Sequence, residues 1–131
     1  MMKKKINTLK APKALGTYSQ AIGIENTVYL SGQIPIDPKT SELVVGKEEQ
    51  IEQVFKNLRS VCEAANASLD DIVKLNIFLQ DLAIFSSVNE IMKEYFKEPY
   101  PARSTIEVAK LPLDSLIEVE GIIVKEDSYS Y

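Results

Sequence analysis

Residues 47–66 read KEEQIEQVFKNLRSVCEAAN and contain the pattern that decides the fold. The apolar side chains recur three and four residues apart, which is the spacing of one buried helix face. They are Ile51, Val54, Phe55, Leu58, Val61, Cys62 and Ala65. The spacing predicts an amphipathic helix from Lys47 to Asn66. Because Cys62 belongs to this stripe, a small core residue is favoured over a reactive thiol.

The flanking segments predict strands and one further helix. Residues 71–81, DIVKLNIFLQD, place Val73, Leu75, Ile77 and Leu79 on one strand face. A second helix is predicted from Ala83 to Lys97, with Asp81 as its cap and Pro99 beyond its end. Its inward side chains would be Phe85, Val88, Ile91, Met92, Tyr95 and Phe96. Other predicted strands are 4–8, 17–22 (before a break at 23–26), 27–35, 102–108 and 115–124. In 27–35, Val28 and Leu30 alternate with Tyr29, Ser31 and Gln33.

This order, β-β-β-α-β-α-β-β, predicts an α+β fold, and 131 residues suit a single domain. Two helices can cover only one face of a sheet of five to six strands. On the other face, the last strand presents Leu116, Ile122 and Val124 together with Glu118 and Glu120. That surface is too apolar to remain wet and too charged for an intramolecular core. We therefore predict a homo-oligomer with polar clefts at its seams.

The composition excludes several kinds of site. The chain has no histidine and one cysteine, so histidine-dependent nucleophiles and zinc sites built from histidine or several thiolates are excluded. Its net charge of -4 disfavours nonspecific binding of nucleic acid. Proton transfer must use Glu, Asp, Tyr, Lys, water or the substrate.

Several features favour a cytoplasmic protein. No apolar run approaches the roughly 20 residues that a membrane span requires. The first ten residues, MMKKKINTLK, are not followed by the apolar stretch of a signal peptide. The single cysteine suits a reducing compartment.

Two charged residues are candidates for chemistry. In YPARSTIEV, residues 100–108, Arg103 alternates with Ala102 and Ser104, and prolines stiffen its approach. Arg103 either pairs with a glutamate (Glu107, Glu118 or Glu120) or presents a guanidinium fork to a ligand carboxylate. Glu118 is either a surface glutamate on an edge strand or a base toward water, since burial would raise its pKa and a nearby arginine would lower it.

Four stretches together resemble the Rid family, also called the YjgF or L-PSP family. They are GTYSQAI (16–22), YLSGQIPIDPKT (29–40), YPARSTIEVAKLP (100–112) and IEVEGIIV (117–124), and the resemblance spans residues 11–124. It implies a chorismate-mutase-like mixed sheet with both helices on one face. It also implies a homotrimer with a barrel-like centre and three clefts between chains.

The resemblance further implies a RidA-type activity, the hydrolysis of enamines and imines to 2-keto acids and ammonia, with no metal or cofactor. The substrates, such as 2-aminoacrylate, would be released by pyridoxal-phosphate-dependent dehydratases. Arg103 would bind the substrate carboxylate and Glu118 would activate water. The cleft would be completed by Tyr18, Ser31, Gly32, Thr105 and Asn89. Thr105 stands where many relatives carry cysteine, so thiol chemistry is excluded.

Two other classes of function remain open from the sequence. One is a single-strand RNA endonuclease that inhibits translation, which the negative charge and the lack of histidine disfavour. The other is a noncatalytic module that senses metabolites or acts as a chaperone.

Overall fold

A computed structural model describes residues 2–126 and has a mixed α+β architecture. In chain order the elements are β1 (Lys4–Ile6), β2 (Ala21–Ile24), β3 (Thr27–Gln33), β4 (Ile36–Asp37), β5 (Glu42–Leu43), α1 (Lys47–Ala64), β6 (Ile72–Leu79), α2 (Phe85–Tyr95), β7 (Ala102–Glu107) and β8 (Ile117–Val124). Six strands form one sheet in the order β1-β2-β3-β8-β6-β7, and β4 pairs with β5 in a separate hairpin. Neighbours in the sheet are antiparallel except β6 and β7. The predicted α+β order is confirmed, and the small hairpin was missed.

Helix α1 lies in the centre of the core. All seven of its predicted inward side chains, including Ala65 just beyond its end, are at most 1% exposed. They pack with buried residues of β6 and β8, such as Leu75, Ile77 and Val119. Cys62 is buried in the core, as predicted. Burial raises the pKa of its thiol to about 12, so the thiol stays protonated and unreactive.

Two buried amides join α1 to the rest of the molecule. Gln50 accepts a hydrogen bond from the Leu116 N–H at 2.8 Å and donates to the Val44 carbonyl at 3.1 Å. Asn57 donates to the carbonyls of Ile34 and Ile36 at 3.2 and 2.9 Å. Apolar periodicity does not reveal such residues, because they lie on the buried face without being hydrophobic.

The second sheet face, here called the open face, is not covered by the helices. The side chains at Glu118, Glu120 and Ile122 are half-buried and Val124 is exposed, in the alternation that the sequence predicts. Tyr29, which pairs with Ile122, is 51% exposed. The open face therefore mixes apolar side chains with two carboxylates.

Two β-bulges contradict the simple alternation of the predicted strands. Between Leu30 and Gln33 the register with β8 shifts by one residue, so Gln33 turns inward and is only 6% exposed. A second shift, between Ile72 and Lys74, buries Ile72 and leaves Val73 47% exposed, although Val73 was predicted to share a face with Leu75, Ile77 and Leu79. Strand β2 also begins later than predicted and continues through residues 23 and 24.

Helix α2 is shorter than predicted. Asp81 accepts a hydrogen bond from the Ala83 N–H at 2.9 Å, but it caps a 3₁₀ turn that precedes α2. Phe85 and Tyr95 are half-buried rather than inward, because Phe85 lies against Arg103 and the Tyr95 hydroxyl donates to Glu52 at 2.6 Å. Within residues 2–126, neither helix combines the length and apolar character needed to cross a membrane.

Candidate functional site

Strand β7 holds Arg103 at the edge of the sheet, on the face that α2 covers. Arg103 is in register with Leu75, a buried core residue of β6. The next residue, Ser104, turns to the open face and accepts a hydrogen bond from the Lys74 ammonium at 3.3 Å. The alternation predicted for this strand is thus confirmed.

Three side chains of α2 surround the guanidinium of Arg103. Its Nη1 donates to Asn89 Oδ1 at 2.7 Å and to the Met92 sulfur at 3.5 Å. Its Cζ lies 5.1 Å from the ring centroid of Phe85, which is a cation–π distance. Because these contacts are uncharged, the positive charge of Arg103 is not neutralised by them.

The predicted alternative of an ion pair is not found. Among residues 2–126, Arg103 has no carboxylate within ion-pair distance. Glu107 instead accepts a hydrogen bond from a backbone N–H at 3.0 Å. The cation is therefore available to an anionic ligand.

Arg103 opens into a cleft of about 600 Å³, here called the arginine cleft. It is lined by Asn89, Glu90, Met92, Lys93, Tyr100, Pro101 and Arg103. Of the predicted site residues, this cleft contains Arg103 and Asn89. Asn89 accepts a hydrogen bond from the guanidinium directly, whereas the sequence analysis assigned it only to the lining of the cleft.

Glu118 lies on the open face of β8, where the bulge of β3 approaches it. A Cβ at Gly32 would overlap the Glu118 carboxylate, so only glycine permits this approach of backbone to side chain. Among the described residues, the Glu118 carboxylate forms no hydrogen bond or ion pair with another residue. Burial, and secondarily the charge of Glu120, raises the pKa of Glu118 above its ordinary range.

Glu118 lines a second cleft of about 480 Å³, here called the glutamate cleft. Its lining residues are Tyr18, Ser31, Gly32, Ile34, Pro112, Glu118 and Glu120. The Ser31 hydroxyl donates to the Ser19 carbonyl, so its remaining capacity is that of an acceptor. The Tyr18 hydroxyl accepts from the Leu15 N–H at 3.3 Å, which leaves its own hydrogen available to a ligand.

Thr105 belongs to neither group of lining residues. It pairs with Ile77 and shares the α2-covered face with Arg103. Its hydroxyl oxygen is buried and has no hydrogen-bond partner among residues 2–126. An unsatisfied buried hydroxyl is unusual, and this one lies two residues from the guanidinium.

The two clefts lie on opposite faces of the sheet. Arg103 is in register with Leu75, and Glu118 is in register with Phe78 on the same strand, β6. Leu75 and Phe78 are three residues apart, and side chains alternate between the two faces of a strand, so they point in opposite directions. Within one chain, the sheet therefore separates the Arg103 guanidinium from the Glu118 carboxylate.

Three residues near the site were missed as contributors to it: Phe85, Met92 and Tyr100. Phe85, Asn89 and Met92 follow the i, i+4, i+7 spacing of one helix face. This stripe was interpreted only as core, because it contains apolar residues at helical intervals. An asparagine inside it was the available signal that the stripe faces a polar group.

Comparisons with known proteins identify relatives of this chain in sequence and in fold. A family model described as Endoribonuclease L-PSP matches residues 8–125. A RutC family protein of Pyrococcus abyssi is 50% identical over 127 residues, which cover 96% of this chain and 100% of that protein. A 2-iminobutanoate/2-iminopropanoate deaminase of Dermatophagoides farinae is 46% identical, with 95% and 98% covered. The crystal structure of RidA from an Antarctic Psychrobacter species superposes with a TM-score of 0.91 at 49% identity, with 93% of this chain and 99% of that chain covered.

Proposed function

The chain belongs to the Rid (YjgF/L-PSP) family, and from this premise we propose that it hydrolyses 2-imino acids and their enamine tautomers to 2-keto acids and ammonia. One observation carries the proposal. Arg103 presents an unneutralised guanidinium in an open cleft, where a planar carboxylate would fit its fork. A relative of 46% identity is named for deamination of 2-iminobutanoate and 2-iminopropanoate, which are small acids of this kind.

In the proposed reaction, water adds to the carbon of the C=N bond. Glu118 accepts a proton from the attacking water and passes it to the imine nitrogen as the π electrons of the C=N bond move onto that nitrogen; the hydroxyl proton later moves to the departing nitrogen by the same route. The resulting carbinolamine loses ammonia while its hydroxyl becomes the carbonyl, so one imine and one water give one 2-keto acid and one ammonia. A raised pKa suits Glu118 to this task, since a base whose pKa lies nearer the working pH accepts a proton more readily.

The proposed site forms between copies of the chain in a homotrimer. The arginine cleft and the glutamate cleft lie on opposite faces of one sheet, and the open face carries exposed apolar side chains such as Tyr29 and Ile106. Packing the open face of one copy near the β7 edge of the next would cover these side chains. It would also bring Arg103 of one chain to Glu118 of its neighbour.

The direct test supplies the imine from a pyridoxal-phosphate-dependent threonine dehydratase, the class of enzyme to which we link this protein, and measures formation of 2-oxobutanoate. We expect the wild-type chain to accelerate the hydrolytic step. Arg103→Ala should abolish the acceleration, and Arg103→Lys should restore little of it, because lysine keeps the charge but not the planar fork. Wild-type protein that leaves the rate unchanged with several imines would refute the proposal.

Ribonuclease activity is the alternative that the family model's description raises. The net charge of -4 and the absence of histidine argue against it. Incubation with single-stranded RNA separates the two functions: we expect no cleavage that depends on Arg103. Tight binding of a 2-keto acid without turnover would instead indicate a noncatalytic sensor.

A cytoplasmic location remains part of the proposal. The single thiol, Cys62, is buried and has no disulfide partner, which suits a reducing compartment.

A further inference from the structure

The contacts of Arg103 indicate which of its edges a ligand can use. Nη1 donates to two acceptors, Asn89 Oδ1 at 2.7 Å and the Met92 sulfur at 3.5 Å. Nε and Nη2 have no hydrogen-bond partner among residues 2–126, and Arg103 as a whole is exposed. Their N–H groups are parallel and match the two oxygens of a carboxylate.

Phe85 lies against one face of the Arg103 guanidinium and fixes the orientation of the guanidinium plane. Its ring centroid lies 5.1 Å from the guanidinium carbon, and Phe85 is not among the residues that line the arginine cleft. The ring therefore lies behind the guanidinium rather than beside a ligand. A long side chain on an edge strand would otherwise lose rotamer freedom when a ligand binds, and a fixed platform reduces that loss.

We propose that Phe85 is a positioning residue: together with Asn89 and Met92 it occupies one face and one end of the Arg103 guanidinium, so that a substrate carboxylate binds side-on to Nε and Nη2. The inference rests on the proposed function for the identity of the substrate, but not for the carboxylate contact itself. It assigns Asn89 to the support of Arg103 rather than to the substrate.

The first test is binding, which needs no turnover. We would measure the Kd of 2-oxobutanoate by calorimetry for wild type, Phe85→Leu and Phe85→Tyr. Leucine keeps an apolar side chain but removes the aromatic face, so binding should weaken by about three- to five-fold, the size of a partly exposed cation–π contact. Tyrosine keeps the ring and should restore wild-type affinity.

The chain supplies a matched control. Arg59 lies over the ring of Tyr95 at 5.3 Å, and Tyr95 does not line the arginine cleft. Tyr95→Leu removes an equivalent arginine–aromatic contact from the same helix. It should lower thermal stability while the Kd of 2-oxobutanoate stays unchanged.

Separate measurement of KM and kcat distinguishes a loss of carboxylate binding from a general loss of structure, which would lower kcat as well. A carboxylate contact is made equally in the ground state and the transition state, so Phe85→Leu should raise KM by the same factor and leave kcat unchanged. Wild type that binds 2-oxobutanoate but does not hydrolyse imines would refute the proposed function, and the role of Phe85 would then be judged on Kd alone.

A measurement on wild type covers the case in which Phe85→Leu does not fold. The NMR resonance of the Arg103 Nε–H, assigned by its loss in Arg103→Lys, should move on addition of 2-oxobutanoate. An unmoved resonance at saturation would mean that the carboxylate does not use this edge. The proposal is also overturned if Phe85→Leu binds as tightly as wild type, if Phe85→Tyr is as weak as Phe85→Leu, or if wild type shows no binding at millimolar ligand.

Discussion

At the scale of single residues, Gly32 determines how the Glu118 carboxylate is held. The carboxylate occupies the space in which a Cβ of residue 32 would lie. The backbone at Gly32 does not have a left-handed φ, so the requirement for glycine comes from this contact alone. Packing at Gly32 thus bears directly on the proposed chemistry.

Gly32→Ala should therefore impair activity more than stability. The added methyl displaces the flexible end of Glu118, and a misplaced base is expected to lower kcat by about ten-fold or more. The melting temperature should change by only a few degrees, on the order of a 0.5–1 kcal/mol effect. Both quantities are measured on the same preparation.

Gly121→Ala is the matched control for this experiment. There the new Cβ would lie 2.9 Å from the backbone carbonyl oxygen of Lys74, which cannot rotate away. This variant should lose thermal stability clearly. If Gly32→Ala melts as low as Gly121→Ala, the effect at Gly32 is on the fold.

Glu118→Gln should remove the acid limb of the pH–rate profile. Burial, and then Glu120, raises the pKa of Glu118, so the ionised base is lost as pH falls through a value above the ordinary one for glutamate. Wild-type kcat should decline as pH falls below that pKa. The kcat of Glu118→Gln should be lower by about 10²-fold and should not change with pH in the same acidic range. Stopped-flow rates across the acidic range provide the comparison.

Glu120→Gln distinguishes the base from its neighbour. Removing the like charge should shift the acid limb of the rate profile to lower pH without abolishing it, since Glu118 remains. An acid limb that persists unchanged in Glu118→Gln would assign the proton transfer to another group.

At the scale of elements, α1 joins the hairpin β4–β5 to the sheet through Asn57. Asn57 lies in a buried position and satisfies two carbonyl groups of the segment that precedes and enters the hairpin. A hydrophobic side chain there would remove the Asn57 donor from the Ile36 carbonyl and leave the Ile34 carbonyl with only the Ile36 N–H. Secondary structure in this region thus depends on a polar residue in the core.

Asn57→Leu should lower the free energy of unfolding by about 1–3 kcal/mol, the cost of removing the donor of a buried acceptor, here the Ile36 carbonyl. Urea denaturation followed by circular dichroism measures the change. Gln53→Ala is the control, because Gln53 is half-buried and donates to Asn57 Oδ1 without reaching the hairpin. An equal loss in both variants would contradict the anchoring role of Asn57.

The helices and the parity of most strands could be predicted because apolar spacing alone sets them. All seven side chains of the α1 stripe are buried as predicted, and the open face has the predicted composition. The inward turn of Gln33 could not be predicted, since a bulge changes the face of every residue after it and leaves no signature in hydrophobicity.

The same limit applies to the candidate site. Arg103 and Glu118 could be singled out by residue type and by resemblance. Their separation by the sheet could not, because it depends on which strands pair and in which register. The contacts of Phe85, Asn89 and Met92 with Arg103 could not be predicted either. These residues lie on a helix face that also packs into the core, where Met92 is 6% exposed.

At the scale of the whole molecule, the open face and the two clefts together favour an assembly in which every site is shared. In a ring of three chains, each Arg103 would meet the Glu118 of the next chain. Inactive variants of the two residues should then complement each other. Such rescue is impossible if each chain has its own complete site.

Mixing Arg103→Ala with Glu118→Gln, after unfolding and refolding together, should restore activity. Every mixed ring of three has one intact cleft, so an equimolar random mixture should recover about a quarter of wild-type activity. Each variant refolded alone should remain inactive, and mass measurement by light scattering should give three chains per particle. Absence of rescue in correctly sized particles would contradict the shared site.

The position of the sheet between the two clefts has a consequence for a newly made chain. No hinge or loop movement can carry a side chain through hydrogen-bonded strands, so a solitary molecule would hold only unmatched halves of a reaction centre. Dilution would act as an off switch, and the onset of catalysis would report encounter between molecules rather than completion of folding.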